Sequence, residues 1–179
     1  MRLFVALSLP ENLRWQLQLL CSGLPDVRWV PPENFHITLR FIGDVDGGVV
    51  EDIDAALAGI RAPGFRLQLA GVGHFGSGGK VRSLWAGVAR EPALQHLHDK
   101  IESAVVRAGL EPDGQKFTPH VTLARPKGVK LPKLPDFLAR HSLFRSEPFE
   151  VTHFTLYSSF LSHSGAIYQA ERSYELSRM

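Results

Sequence analysis

The sequence predicts an α+β fold of two pseudo-symmetric lobes of antiparallel sheet sharing a groove, and three observations carry that expectation. One short motif occurs twice, as FHITLRFIG from Phe35 to Gly43 and as TPHVTLARP from Thr118 to Pro126. The copies lie 84 residues apart, His36 to His120, which is nearly half of the 179-residue chain. Segments with strand character also outnumber those with helical periodicity, and several are joined by connections short enough for hairpins.

In order, Arg2 to Leu9 reads as a first core strand. Pro10 and Glu11 suit the first turn of a helix to about Ser22, with Leu13, Leu17 and Leu20 on one stripe and Gly23 as the stop. Val27 to Val30 is expected as a short strand, and Pro31-Pro32 as the turn into the first motif. Asp46 is placed to cap a helix from about Gly47 to Ile60, whose apolar positions are Val50, Ile53, Leu57 and Ile60. Phe65 to Val72 and Arg82 to Val88 read as strands, with GHFGSGGK as a Gly-rich hairpin loop between them. That loop lacks the spacing of a phosphate-cradling P-loop and the helix that should follow one. Pro92 opens a third helix, with Leu94, Leu97, Ile101, Val105 and Ala108 along one side and Gly109 after its end. The second motif follows, then a Lys- and Pro-rich connection from Pro126 to Pro135 and a short helix near Asp136 to His141. Two closing strands, Phe149 to Phe160 and Ala166 to Glu175, read as a hairpin through Ser162 to Gly165. No linker separates independent units, so residues 1–179 are expected to form a single domain of two lobes.

Composition narrows the function classes. An apolar fraction of 44% and a charged fraction of 21% are ordinary for a soluble globular protein. No apolar run approaches the roughly 20 residues that a membrane-spanning helix needs. The opening MRLFVALSLPEN stops at Pro10 without a small-residue cleavage site, so it reads as a core strand rather than a signal peptide. A net charge of +2 tolerates an anionic substrate but is far from a polybasic nucleic-acid coat. The single cysteine, Cys21, can form no internal disulfide and sits among leucines, which suits a reducing cytoplasm.

The repeated motif carries the chemistry. Side chains alternate along a strand, so His36, Thr38 and Arg40 should share one face while Phe35, Ile37, Leu39 and Phe41 back them. The second copy sets His120 and Thr122 over Val121 and Leu123 in the same way. A histidine in a strand is often only a backbone hydrogen-bond partner, but two copies in matching contexts are hard to attribute to chance. Two histidines could begin a zinc site, yet no third ligand stands beside either motif and threonine is a poor ligand. General acid–base catalysis accounts for all four residues. Imidazole titrates near neutrality, so one ring can give a proton while the other takes one, and the hydroxyls can donate to the oxygens of a bound anion. Cleavage of a phosphate diester asks for this set and needs no metal or cofactor.

HITLRFIG and FTPHVTLAR resemble the signature motifs of the 2H phosphoesterases, in particular the bacterial and archaeal RNA 2′,3′-cyclic phosphodiesterases once called 2′-5′ RNA ligases. The resemblance runs from the opening RLFVAL to the closing SFLSHSGAIYQ. It implies two antiparallel-sheet lobes with helices outside, the motifs lining a central groove, and hydrolysis to a 2′-phosphomonoester. His36 would be the proton donor and His120 the proton acceptor that activates water, an assignment the near-identical motifs do not make by themselves. Thr38, Thr122 and Arg125 would hold the phosphate. Strict alternation turns Arg125 away from His120, so it reaches the groove only if its strand ends or bulges near Ala124. Arg40, on the face of Thr38, could add a second positive charge. Implied partners are RNA with 2′,3′-cyclic phosphate ends or small cyclic nucleotides, with no membrane, the chain acting as a monomer. Reversible 2′-5′ RNA ligation and a non-catalytic RNA- or nucleotide-binding module are the alternatives. Phe75, Phe41, Tyr157 and Tyr168 are aromatic candidates for substrate contact, though Phe41 reads better as core. Trp29 and Trp85 read as structural, and His74, His96, His98, His141, His153 and His163 receive no role.

Overall fold

The structure, a computed structural model, describes residues 1–179. Its strands are β1 (Arg2–Ser8), β2 (His36–Asp44), β3 (Phe65–Leu67), β4 (Leu69–Ser77), β5 (Lys80–Val88), β6 (His120–Ala124), β7 (Phe149–Val151), β8 (His153–Ser162) and β9 (Gly165–Glu175). The helices are α1 (Glu11–Leu20), α2 (Gly47–Ala58), α3 (Pro92–Arg107) and α4 (Leu134–Arg140). Seven strands form one sheet in the order β4-β5-β6-β2-β1-β8-β9, while β3 and β7 pair separately. All the strand pairings are antiparallel. The expected α+β class with two related halves is what folds.

The two halves meet between β2 and β6, where Ile37 is opposite Val121. These residues are themselves equivalents in the repeat, so a pseudo-twofold axis passes between them. Extending the antiparallel register one residue each way sets His36 across from Thr122 and Thr38 across from His120. With that single registered pair the half-sheets then diverge. Val30 and Trp29 fill the gap, the Val30 amide donating to the carbonyl of Leu123 at 2.7 Å and Trp29 bridging Ala124. The strand expected at Val27–Val30 is therefore reduced to an isolated bridge.

One face of the sheet is closed by helices. Leu13, Leu17 and Leu20 of α1, Ile53 and Leu57 of α2, and Leu94, Leu97, Ile101 and Val105 of α3 pack on Leu3, Val5, Leu7, Ile37 and Val121. Each of these apolar positions recurs at three or four residues along its helix, which is why one stripe is buried. Asp46 caps α2 as expected, its carboxylate accepting from the Val49 amide at 3.0 Å. A smaller core, including Leu84, Ala124, Leu134 and Phe137, sits under α4. No helix is long and apolar enough to cross a membrane.

The Gly-rich loop differs from expectation. Most of GHFGSGGK is strand, because β4 runs to Ser77 and the turn is confined to Gly78 and Gly79. Both have positive φ, +61° and +77°, the geometry of a tight two-residue hairpin turn. Gly73 is opposite Trp85, and a Cβ there would lie 2.3 Å from the indole. The glycine is thus a bare patch of backbone on which Trp85 rests. Gly73→Ala is expected to displace that ring and cost about 1–3 kcal/mol as overpacking, checked by thermal unfolding.

Candidate active site

The open face of the sheet carries His36 and Thr38 from β2 and His120 and Thr122 from β6, all partly buried. Each imidazole is clamped through Nδ1 by the carbonyl two residues before it. His36 reaches Asn34 O at 2.7 Å and His120 reaches Thr118 O at 2.6 Å. A carbonyl only accepts, so Nδ1 carries the hydrogen and Nε2 is the titrating atom in both rings. Nε2 of His36 lies 2.9 Å from Thr38 Oγ1, so the neutral ring accepts from that hydroxyl. A proton arriving on Nε2 reverses the bond, freeing the hydroxyl hydrogen for another acceptor.

Burial pushes the His36 imidazole down to about 4; the Asn34 carbonyl works against this, while the charges of Arg125 and His120 add to it. His120 is lowered as well, first by burial and then by Arg125, again opposed by its carbonyl partner at Thr118. The two imidazoles and Arg125 thus act on one another across the groove. In the unfolded chain an imidazole titrates near 6.5. Between about pH 6.5 and pH 4 the unfolded state therefore binds the proton that folded His36 refuses. Its contribution to stability is complete above that window and is lost as pH falls through it. The wild-type unfolding midpoint is expected to drop more steeply from pH 7 to pH 4.5 than that of His36→Gln, measured by thermal denaturation across that range.

Arg125 reaches the groove because β6 both bulges and ends. Trp85 is opposite Thr122 whereas Leu84 is opposite Ala124, so Leu123 is an extra residue in β6. Leu123 and Ala124 are both fully buried, and the alternation resumes with exposed Arg125 on the side of Thr122. The first motif bulges at the equivalent place. Val5 is opposite Arg40 and Ala6 opposite Thr38, leaving Leu39 as the extra residue.

That bulge overturns the expectation for Arg40. It is turned to the helix side and is 7% exposed. Its Nε donates to Glu102 Oε2 at 2.7 Å, and other nitrogens donate to the carbonyls of Phe41 and Glu111. Glu102 also accepts from the Asp113 amide at 3.0 Å. Burial raises the Glu102 carboxyl, but the bonds from Arg40 and Asp113 outweigh it and hold the group below its usual range. Arg40 is a brace between β2, α3 and the chain leading to β6, and it adds no charge to the groove. Phe41 is corrected in the opposite sense. It is 49% exposed, opposite Phe4 on the groove side, with the Arg2 guanidinium 5.2 Å from its ring centre.

Aromatic rings flank both imidazoles. Phe4 and Tyr168 lie 5.0 Å and 5.3 Å from His36, and Phe4 stacks on Tyr157. Phe75 lies edge-on to His120 at 5.0 Å, with Trp85 at 6.0 Å. Tyr157, Tyr168 and Phe75 thus stand where aromatic contacts were expected. Phe4 and Trp85, read as core and structural, belong beside the imidazoles. Their strand register reveals them, since Trp85 is opposite Thr122, and single-strand periodicity carries no such information. Asn34 Nδ2 donates to Ala166 O at 2.9 Å, tying the first motif to β9 and Tyr168. A cleft of about 250 Å³ beside His36 is lined by Phe4, Asn34, Tyr157 and Tyr168.

A repeated antiparallel half-sheet, with a His-x-Thr strand from each copy at the centre, defines the two-histidine class of phosphoesterase folds. The chain belongs to the LigT-like phosphoesterase family, whose description matches residues 7–85 and again residues 87–168. Each match contains one copy of the motif. An RNA 2′,3′-cyclic phosphodiesterase of Aeropyrum pernix is 39% identical over 150 residues, covering 83% of this chain and 85% of that protein. One from Escherichia coli K12 is 30% identical over 183 residues, covering 99% and 97%. The crystal structure of E. coli LigT complexed with 3′-AMP superposes with a TM-score of 0.81 at 26% identity, covering 98% of this chain and 97% of that one.

Proposed function

We propose that this chain hydrolyses RNA 2′,3′-cyclic phosphate ends to 2′-phosphomonoesters, as one domain working in the cytoplasm as a monomer and without a metal. The observation that carries the reading is electrostatic. Two imidazoles with Nδ1 fixed and Nε2 left to titrate lie on one sheet face, each depressed first by burial and then by the charge of Arg125. That arrangement waits for an anion. A phosphodiester offsets the charge of Arg125, raises the imidazole affinity for protons, and so permits one ring to be charged while the other stays neutral. His120 Nε2 then takes a proton from water as its oxygen bonds to phosphorus. The bond from phosphorus to the 3′ oxygen breaks on the opposite side, and that oxygen takes the proton held by His36 Nε2. Thr38, Thr122 and Arg125 hold the non-bridging oxygens, where charge accumulates as the water attacks. The names of the curated relatives and the 3′-AMP complex of E. coli LigT support a nucleotide substrate. Lone Cys21, a free thiol with no second cysteine to pair with, suits a reducing compartment.

Incubation with a 2′,3′-cyclic nucleotide in excess EDTA, with the product isomers separated, tests the reading. A 2′-phosphate product at an undiminished rate is expected. A 3′-phosphate product, or loss of turnover with chelator, overturns the mechanism.

A further inference from the structure

We propose that a second cleft, on the outer side of α1, is a subsite for the nucleotide one step 5′ of the reacting end. The substrate class is then an oligoribonucleotide rather than a mononucleotide. This rests on the reading above, and specifically on His36 as the acid. In an in-line displacement the attacking water and the leaving oxygen lie on opposite sides of phosphorus. The leaving oxygen stays on the terminal ribose, so the ribose and all the RNA attached to it lie on the His36 side, with water on the His120 side.

Two clefts with shared walls lie on that side. The cleft beside His36 has Arg14 and Glu33 at its rim, and the same two residues line a larger cleft of about 570 Å³ along α1. Arg14 lines both spaces, and its Nε is buried without a hydrogen-bond partner. The phosphodiester between the last two nucleotides brings one negative charge to the cation that lines both spaces. Beyond it, Trp15 is 64% exposed on the face of α1 opposite its buried leucines. A base can stack on that indole irrespective of its identity, because every base offers a π-face. Glu11 and Glu33 line the same cleft and disfavour further phosphates in it.

The test compares kcat/KM for a 2′,3′-cyclic mononucleotide, the corresponding dinucleotide and a trinucleotide, all ending in the same cyclic phosphate. The dinucleotide is expected to exceed the mononucleotide, with no further gain from the third residue. Trp15→Ala is expected to lower the dinucleotide-to-mononucleotide ratio on the order of tenfold, the scale of one stacked base. Arg14→Gln should lower the same ratio and flatten its dependence on salt. Equal rates for the mono- and dinucleotide, or a ratio unmoved in both variants, would sink the subsite. Failure of all three substrates to react would instead remove the hydrolytic reading. In that case calorimetric binding of the dinucleotide bearing a terminal 2′-phosphate, wild type against Trp15→Ala, still decides the subsite, equal affinities counting against it.

Discussion

Replacing His36 or His120 by alanine is expected to lower turnover of a 2′,3′-cyclic nucleotide by about 10²–10⁴-fold each, the scale for one positioned proton-transfer group. Removing both should cost little more than the worse single change, because donor and acceptor serve one step. Each variant should still unfold cooperatively, since neither ring belongs to the main apolar core. The pH profile separates the roles. A base must be unprotonated and an acid protonated, so His120→Ala should abolish the rise on the acidic side of the kcat profile, which reports the complex. His36→Ala should abolish the fall on the alkaline side. Exchanged limbs would exchange the assignments, and a variant retaining near wild-type rate would free that ring of any part in the chemistry. In the free protein burial holds His36 neutral down to about pH 4, so its acid form depends on the bound anion. NMR titration of the free protein and of its complex with a 2′-nucleotide should therefore show this ring moving upward on binding.

The two arginines that follow the histidines should behave as opposites. Arg40→Ala strips the partner from Glu102 and leaves the carbonyl of Glu111 without its donor. A loss of about 2–3 kcal/mol is expected, at the low end for a broken buried pair because Glu102 keeps contact with solvent. Activity per folded molecule should be largely kept. Arg125→Ala exposes no orphaned partner, so its unfolding midpoint should scarcely move while kcat/KM falls about 10²-fold for want of a charge at the phosphoryl oxygens. Denaturation curves and initial rates on the same two preparations check both halves of this contrast. A stable, inactive Arg40→Ala would return that side chain to the groove.

The duplicated motif was legible because strand alternation needs only neighbouring residues, and it placed both histidines and both threonines on one face. The cap at Asp46 and the opening of α3 at Pro92 were legible for the same local reason. What escaped was set by pairing between distant strands. The extra residues at Leu39 and Leu123 exist only relative to β1 and β5, and each inverts the alternation after it. Arg40 and Phe41 were therefore assigned to each other's sides. Trp85 escaped because its support, Gly73, lies on another strand and looked like part of a loop.

The matched bulges also have a consequence for handedness. A perfectly duplicated cradle would look the same after a half-turn, and a lopsided molecule could enter it either way round. Beyond the bulges the equivalence fails, with a cation at Arg125 and an aromatic ring at its counterpart, Phe41. Two near-identical halves thereby become a left and a right, and a ligand has only one way to lie between them.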